Sequence, residues 1–166
     1  MNFRVVSLPP FQAATSGVDK DCDFSPSGIL GKFDEYFSAI TPSPRDSFLP
    51  RDFLFFNEEQ QGLEWWWALE DGMDLGGNAV IDFDGGFYLT YTFKDGDEEE
   101  NGRLYRAAME YIQSSEIFEL DIRPNHYPMG HIITPAPVIQ AQGWSQMEVY
   151  VPVKLTERAS NTATLA

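Results

Sequence analysis

Two short runs of this chain carry side chains suited to holding a small molecule. The first is LEWWWALEDG (63–72), with Trp65, Trp66 and Trp67 in succession; the second is SQMEVYVPVKL (145–155), with Glu148 two residues from Tyr150. Aromatic ring faces attract an organic cation, and a carboxylate withdrawn from water neutralises it. Such a pocket needs few directional bonds and recognises a class of shapes rather than one compound. Strand alternation sorts these side chains. Trp65 and Trp67 share one face and Glu64 and Trp66 the other, so both faces are apolar or aromatic, which a sheet with one wet face does not require. In the later run Met147, Val149 and Val151 form an apolar face suited to a helix, and Glu148 and Tyr150 point the other way. From alternation alone, an ordinary solvated glutamate at 148 is the simpler reading.

Other chemistries find little support. No G-x-S-x-G elbow is present, and His126 and His131, five apart on an expected strand, lack a third ligand; structural histidines are expected, with no metal and no cofactor. Cys22 is the only cysteine, which excludes an internal disulfide and a thiolate zinc site and is compatible with a reducing compartment. The acidic run Asp95–Glu100 lacks the ligand spacing of a calcium loop and reads as the carboxylate-rich start of a helix. A formal charge of −15, with only 11 Lys and Arg, argues against direct nucleic-acid binding. No apolar run approaches ~18 residues, so neither a signal peptide nor a membrane span is expected, and a cytoplasmic location is.

The elements that must position these residues follow from the periodicity. With 166 residues, 43% hydrophobic and 14% aromatic, the chain suits one ordered domain with a sizeable core. FRVVSL (3–8) predicts a strand, continued by FQAATSGVD after a bend at Pro9-Pro10. SPSGILGKFDEYFSAI (25–40) predicts a Ser-capped helix with Ile29, Phe33, Tyr36, Phe37 and Ile40 on one face. Residues 52–72 give a strand–loop–strand around Gly62, and 78–93 repeat it around Gly85-Gly86. DEEENGRLYRAAMEYIQSS (97–115) predicts a second helix with a stripe of Leu104, Ala108, Tyr111 and Ile112. Further strands come from FELDIRPNHYPMGHIITP and SQMEVYVPVKL, and 156–166 reads as a disordered tail. The order is a twofold β-α-β-β pattern, an α+β fold with a curved, mainly antiparallel sheet and two helices on one face. The other face is left for a ligand cleft or a partner.

LEWWWALEDG, FDGGFYLTYTFKDGD (83–97) and above all GWSQMEVYVPVK (143–154) together resemble the GyrI-like domain, used as effector-binding domain by AraC-type and multidrug-sensing bacterial transcription regulators. The resemblance spans residues 3–154 and implies a GyrI-like domain over 1–155. It implies an aromatic cleft with a glutamate from the closing strand, here Glu148. The ligand-binding residues it suggests are Glu148, Tyr150, Trp66, Trp65, Tyr88, Tyr91 and Tyr127. Alternation alone does not say which tryptophan faces the ligand; analogy with the face of Glu148 favours Trp66, beside the polar Glu64, with Trp65 and Trp67 in the core, so that truncating Trp66 would cost little stability and truncating Trp67 about 3–5 kcal/mol. The ligand implied is a cationic aromatic small molecule, held for drug or effector sensing or for sequestration. Two other activities are compatible with the resemblance: hydrolysis of reactive cyclopropane-containing drugs, with Glu148 and Tyr150 polarising a water, and inhibition of gyrase through a protein interface. No helix-turn-helix accompanies the domain, so direct promoter binding is not expected. A protein partner or a homodimer stays open.

Overall fold

The computed structural model describes residues 3–47 and 49–163. Its contacts group the chain into two compact units, Pro9–Gly85 on the one hand and Met1–Leu8 with Gly86–Ala166 on the other. Strand β1 (Arg4–Leu8) precedes the first of these units in sequence and belongs to the second. Strand β2 (Phe11–Thr15), helix α1 (Ile29–Ser38), a 3-10 turn (Pro44–Ser47) and strands β3 (Asp52–Asn57), β4 (Gly62–Ala68) and β5 (Ala79–Phe83) build the Pro9–Gly85 unit. Strand β6 (Gly86–Lys94), helix α2 (Glu98–Ser114), strands β7 (Phe118–Leu120) and β8 (Met129–Ile132), helix α3 (Ala136–Gln142), strand β9 (Gln146–Leu155) and helix α4 (Glu157–Ala163) build the other.

Both units use one topology. In the first, β2 leads into α1 and β4 lies between β3 and β2; in the second, β6 leads into α2 and β9 lies between β8 and β6. The first repeat gains β5 on β2, the second gains β1 on β6 and β7 on β9, and these pairings are antiparallel. The fold is α+β with the predicted β-α-β-β repeat. Two strand connections differ from the sequence reading. Phe11–Thr15 does not continue β1 but pairs with β4 and β5, and Gly85-Gly86 does not close a hairpin, because β5 pairs with β2 while β6 pairs with β1 and β9. Period-2 patterning marks a strand without naming its neighbour.

The helices cover one face of each repeat. On α2 the Asp97 carboxylate accepts the Glu100 N–H at 3.0 Å, and Glu98, Glu99 and Glu100 sit in the first turn, where the helix dipole favours negative charge. Leu104, Ala108 and Ile112 then meet Leu89, Tyr91, Phe93, Val151 and Val153, with Met147 and Val149 at the margin. Tyr111, expected in this stripe, is instead 46% exposed. Helix α1 starts three residues later than its serine suggests. Asp23 takes the Ser25 N–H at 2.8 Å and residues 25–28 form a turn, so Gly28 is the cap and Ser25 is not. The shift rotates the buried stripe to Leu30, Phe33 and Phe37 and leaves Ile29 48% exposed. Phe33 and Phe37 pack with Trp65 and Trp67, the half-buried members of the tryptophan run.

The C-terminal region holds two elements absent from the sequence reading. APVIQAQ forms α3, which has no buried residue and closes on Gly143 in the left-handed conformation (φ 78). Glu157–Ala163, part of the segment read as a disordered tail, forms α4, opened by the Thr156 hydroxyl accepting the Ala159 N–H at 3.3 Å. Residues 164–166 of that segment lie outside the described residues.

Candidate functional site

Strand register assembles the site of the second unit. Thr90 of β6 stands opposite Arg4 on one side and Tyr150 on the other, so the three form a row across the sheet. Alternation puts Tyr88 and Glu148 on the same face, away from α2. Glu148 is 6% exposed and Tyr150 3%. A carboxylate so withdrawn from water requires donors, and it has two: the Tyr150 hydroxyl donates to Oε2 at 2.6 Å and the Arg4 guanidinium to Oε1 at 2.5 Å. Both are charge-assisted and short.

Tyr88 is fully buried and meets Tyr150 edge to face, ring centroids 6.3 Å apart at 71°. Behind it His126 stacks at 6.4 Å and 9°. His126 is held from both ring nitrogens, Nδ1 at 2.9 Å from the Pro124 carbonyl and Nε2 at 3.0 Å from an Arg123 Nη2 donor. This pattern fits the tautomer with its proton on Nδ1. Arg123 is fixed in turn by Asp121, at 2.7 Å. Burial opposes ionisation of Asp121, yet the Arg123 hydrogen bonds together with the favourable charge interactions of His126 and Arg123 outweigh it and hold the carboxyl below its ordinary range. Held in this way, the His126 ring backs Tyr88.

The Pro9–Gly85 unit contains a counterpart. Trp66 stands opposite Thr15 as Tyr150 stands opposite Thr90, and Glu64 lies two residues before Trp66 as Glu148 lies before Tyr150. Glu64 is 8% exposed and accepts three neutral donors: Thr15 Oγ1 at 2.6 Å, Trp66 Nε1 at 2.9 Å and Asn57 Nδ2 at 2.9 Å. No guanidinium or ammonium bonds it among the described residues. Phe55 and Phe83 flank Trp66, at 4.6 and 5.9 Å.

Of the residues suggested by the sequence, the structure brings Glu148, Tyr150 and Tyr88 together. Trp66 lies on the predicted face of β4, but within the Glu64 cluster of the other unit. Trp65 faces α1, beside Phe33 and Phe24, with its indole N–H 3.1 Å from Asp52. Tyr91 faces α2 and donates to Asn101 at 2.9 Å, and burial pushes its phenol up in pKa. Both lie on helix-packed faces by alternation, apart from Glu148 and Tyr150. Tyr127 is half-buried in the loop before β8.

Glu64, Thr90 and Arg4 were not legible as site residues one at a time. The parallel between Leu63-Glu64-Trp65-Trp66-Trp67 and Met147-Glu148-Val149-Tyr150-Val151 is the signal that marks Glu64, once the two repeats are aligned. No comparable signal marks Arg4, whose position depends on β1 pairing with β6. Among the described residues no three His, Cys, Asp or Glu gather as metal ligands. Two surface hollows, about 340 Å³ beside Leu69–Met73 and about 640 Å³ along Lys32–Ile40 of α1, contain none of the site residues.

No family model and no curated protein sequence matches the chain. Solved structures do. The structure of SAV2435 bound to tetraphenylphosphonium is similar over 93% of this chain and 94% of that one, at TM-score 0.57 and 11% identity. The EcmrR C-terminal domain is similar over 93% and 98%, at TM-score 0.54 and 14% identity. A hydrolase from Listeria innocua is similar over 92% of each chain, at TM-score 0.52 and 10% identity. The chain thus has the GyrI-like fold. No helix is long and apolar enough to cross a membrane among the described residues.

Proposed function

We propose that this chain is a binding module for cationic aromatic small molecules, serving effector sensing or sequestration, with Glu148 as charge partner and Tyr150 and Tyr88 as aromatic walls. The observation that carries this reading is the state of Glu148: a buried carboxylate, oriented by a phenol and already in contact with a cation, the Arg4 guanidinium. A buried carboxylate that takes a phenol on one oxygen and a guanidinium on the other has the chemistry for a delocalised organic cation. SAV2435, of the same fold, binds such an ion in tetraphenylphosphonium.

The test is calorimetric titration with tetraphenylphosphonium and with neutral triphenylphosphine oxide. Glu148→Gln keeps shape and removes charge, and is expected to weaken the cation by about 1.5–3 kcal/mol while leaving the neutral compound nearly unchanged. Equal binding of the cation by parent and variant would remove the carboxylate from the site. A second reading rests on the 2.6 Å Tyr150–Glu148 contact, a donor–acceptor pair able to polarise a water, in a fold shared with a Listeria hydrolase. Conversion of a strained cyclopropane substrate, lost in both Glu148→Gln and Tyr150→Phe, would favour that reading over reversible binding.

A further inference from the structure

The two repeats treat one motif in two ways, and the difference points to Arg4. In the first repeat the carboxylate of the Glu-x-aromatic pair is closed by neutral donors from β2, β3 and β4, among them the hydroxyl of Thr15. At the equivalent place in the second repeat stands Thr90, opposite Tyr150 as Thr15 is opposite Trp66. Thr90 is 1% exposed, and its hydroxyl makes no hydrogen bond among the described residues. A buried hydroxyl left unbonded is uncommon. The donor to Glu148 Oε1 is instead Arg4, from β1 at the end of that unit's strand order.

Burial of the two partners is lopsided. The Glu148 side chain is 8% exposed, whereas the Arg4 side chain is 66% exposed. The anion is built into the sheet, and the cation reaches it from solvent. Such an arginine loses little by leaving, since water solvates it and an exposed ion pair of this kind is weak. The carboxylate, by contrast, cannot leave and needs a cation or a donor in its place.

We infer that Arg4 is a tethered occupant of the ligand's charge position: a cationic ligand reaches Glu148 by displacing the Arg4 guanidinium, and Arg4 thereby sets the affinity of the site for cations. This rests on the proposed function and adds the residue that competes with the ligand. Displacement leaves the Tyr150 hydroxyl on Oε2 and frees Oε1 for the incoming cation, and Thr90, with its unbonded hydroxyl, stands opposite Arg4 in the register. The preferred ligand therefore carries a delocalised cation on an aromatic frame, and an added hydrogen-bonding group near the cation has Thr90 as its partner.

The experiment is calorimetric titration of the full chain and its Arg4 variants with tetraphenylphosphonium and triphenylphosphine oxide. Arg4→Ala removes the competitor at an exposed position and is expected to raise affinity for the cation about 1.5- to fivefold, the range spanned by an ion pair of this exposure. Arg4→Lys keeps a competing charge and is expected to stay within about twofold of the parent. Neutral-ligand affinity is expected to be unmoved by Arg4→Ala, and Arg4→Ala combined with Glu148→Gln is expected to lose the gain, which ties the effect to the carboxylate. Cation binding by the parent with no gain, or with a loss, in Arg4→Ala overturns the inference and leaves the proposed function standing. Absence of cation binding in the parent and in Arg4→Ala alike overturns the proposed function and the inference with it, while binding by Arg4→Ala alone is the strongest support for the competitor.

Discussion

Trp66→Ala is expected to be the most damaging truncation in the tryptophan run. Analogy with the face of Glu148 makes Trp66 the ligand-facing member, but Trp66 is 1% exposed and is the largest fully buried side chain, while Trp65 and Trp67 are half-buried under α1. Replacing a buried tryptophan by alanine costs about 3–5 kcal/mol in lost burial and residual cavity. Here the indole N–H also donates to Glu64 at 2.9 Å, a charge-assisted bond whose loss adds about 1.5–3 kcal/mol. Glu64 keeps Thr15 and Asn57, so the upper end of that range is not reached, and the total is roughly 4–7 kcal/mol. That approaches the whole stability of a domain, about 5–15 kcal/mol. Trp66→Phe is the gentler probe: it retains contact with Phe55 and Phe83 and isolates the hydrogen bond, at about 1.5–3 kcal/mol. Trp67→Ala removes a ring stacked on Phe37 at 5.2 Å and covered by Arg51 at 5.6 Å. Being half in solvent, that ring should cost about half a buried one, roughly 2 kcal/mol. Urea unfolding followed by circular dichroism, with unchanged slope, gives the three values on one scale. Trp67→Ala costing as much as Trp66→Ala would refute the assignment of the deep core to the Glu64 face.

Gly31→Ala should destabilise by more than about 2 kcal/mol even though alanine favours helix by about 1 kcal/mol, because the added Cβ would lie 1.9 Å from the Ser25 carbonyl oxygen; a thermal melt of the variant decides the sign. Arg51, 5% exposed, bonds Asp46 at 2.7 Å and Glu70 at 2.8 Å, and Arg51→Met should cost about 1–3 kcal/mol, less than a fully buried pair because both carboxylates can reach water; urea midpoints measure it. The depressed carboxyl of Asp121 has a folded pKa below its unfolded one, so its contribution is complete above the ordinary carboxylate range and is lost as pH falls through the folded value, below about pH 4. Asp121→Asn should lower stability at pH 7 and flatten the acid limb of the stability profile, and parallel profiles for parent and variant below pH 4 would count against it.

The repeat, the strands and both long helices were legible because their periods are strong: Leu104, Ala108 and Ile112 fall every fourth residue, and Met147, Val149 and Val151 every second. What escaped depends on pairing and depth. Period 2 states that Glu148 and Tyr150 share a face, but whether that face is wet depends on what lies across the register; here both are buried. For the same reason Tyr88, Tyr91 and Tyr150 look alike in sequence. One residue of offset separates Tyr91, which bonds Asn101 on α2, from the row of Arg4, Thr90 and Tyr150 on the other face. The start of α1 escaped through competition between local bonds: Ser25 is a fit cap, but its N–H goes to Asp23 and a turn intervenes. The Arg4–Glu148 pair spans 144 positions, and neither its charges nor its neighbours announce it in the sequence.

Depth also separates the roles of the two glutamates. A buried carboxylate bonded by Thr15, Asn57 and Trp66 ties three strands together, and any ligand there would have to break those bonds without replacing them. Glu148 has only Tyr150 from its own sheet core, and its other oxygen is filled by a side chain that water can reclaim. The copy whose bonds are internal is suited to stability, and the copy with an exchangeable partner is suited to exchange. Glu64→Gln should therefore lower stability, since the amide nitrogen would face donors where an acceptor is required, and leave cation affinity unchanged in the fraction that folds. Glu148→Gln should do the reverse, and matched urea and calorimetric titrations of the two variants would expose a shared role if both quantities moved together.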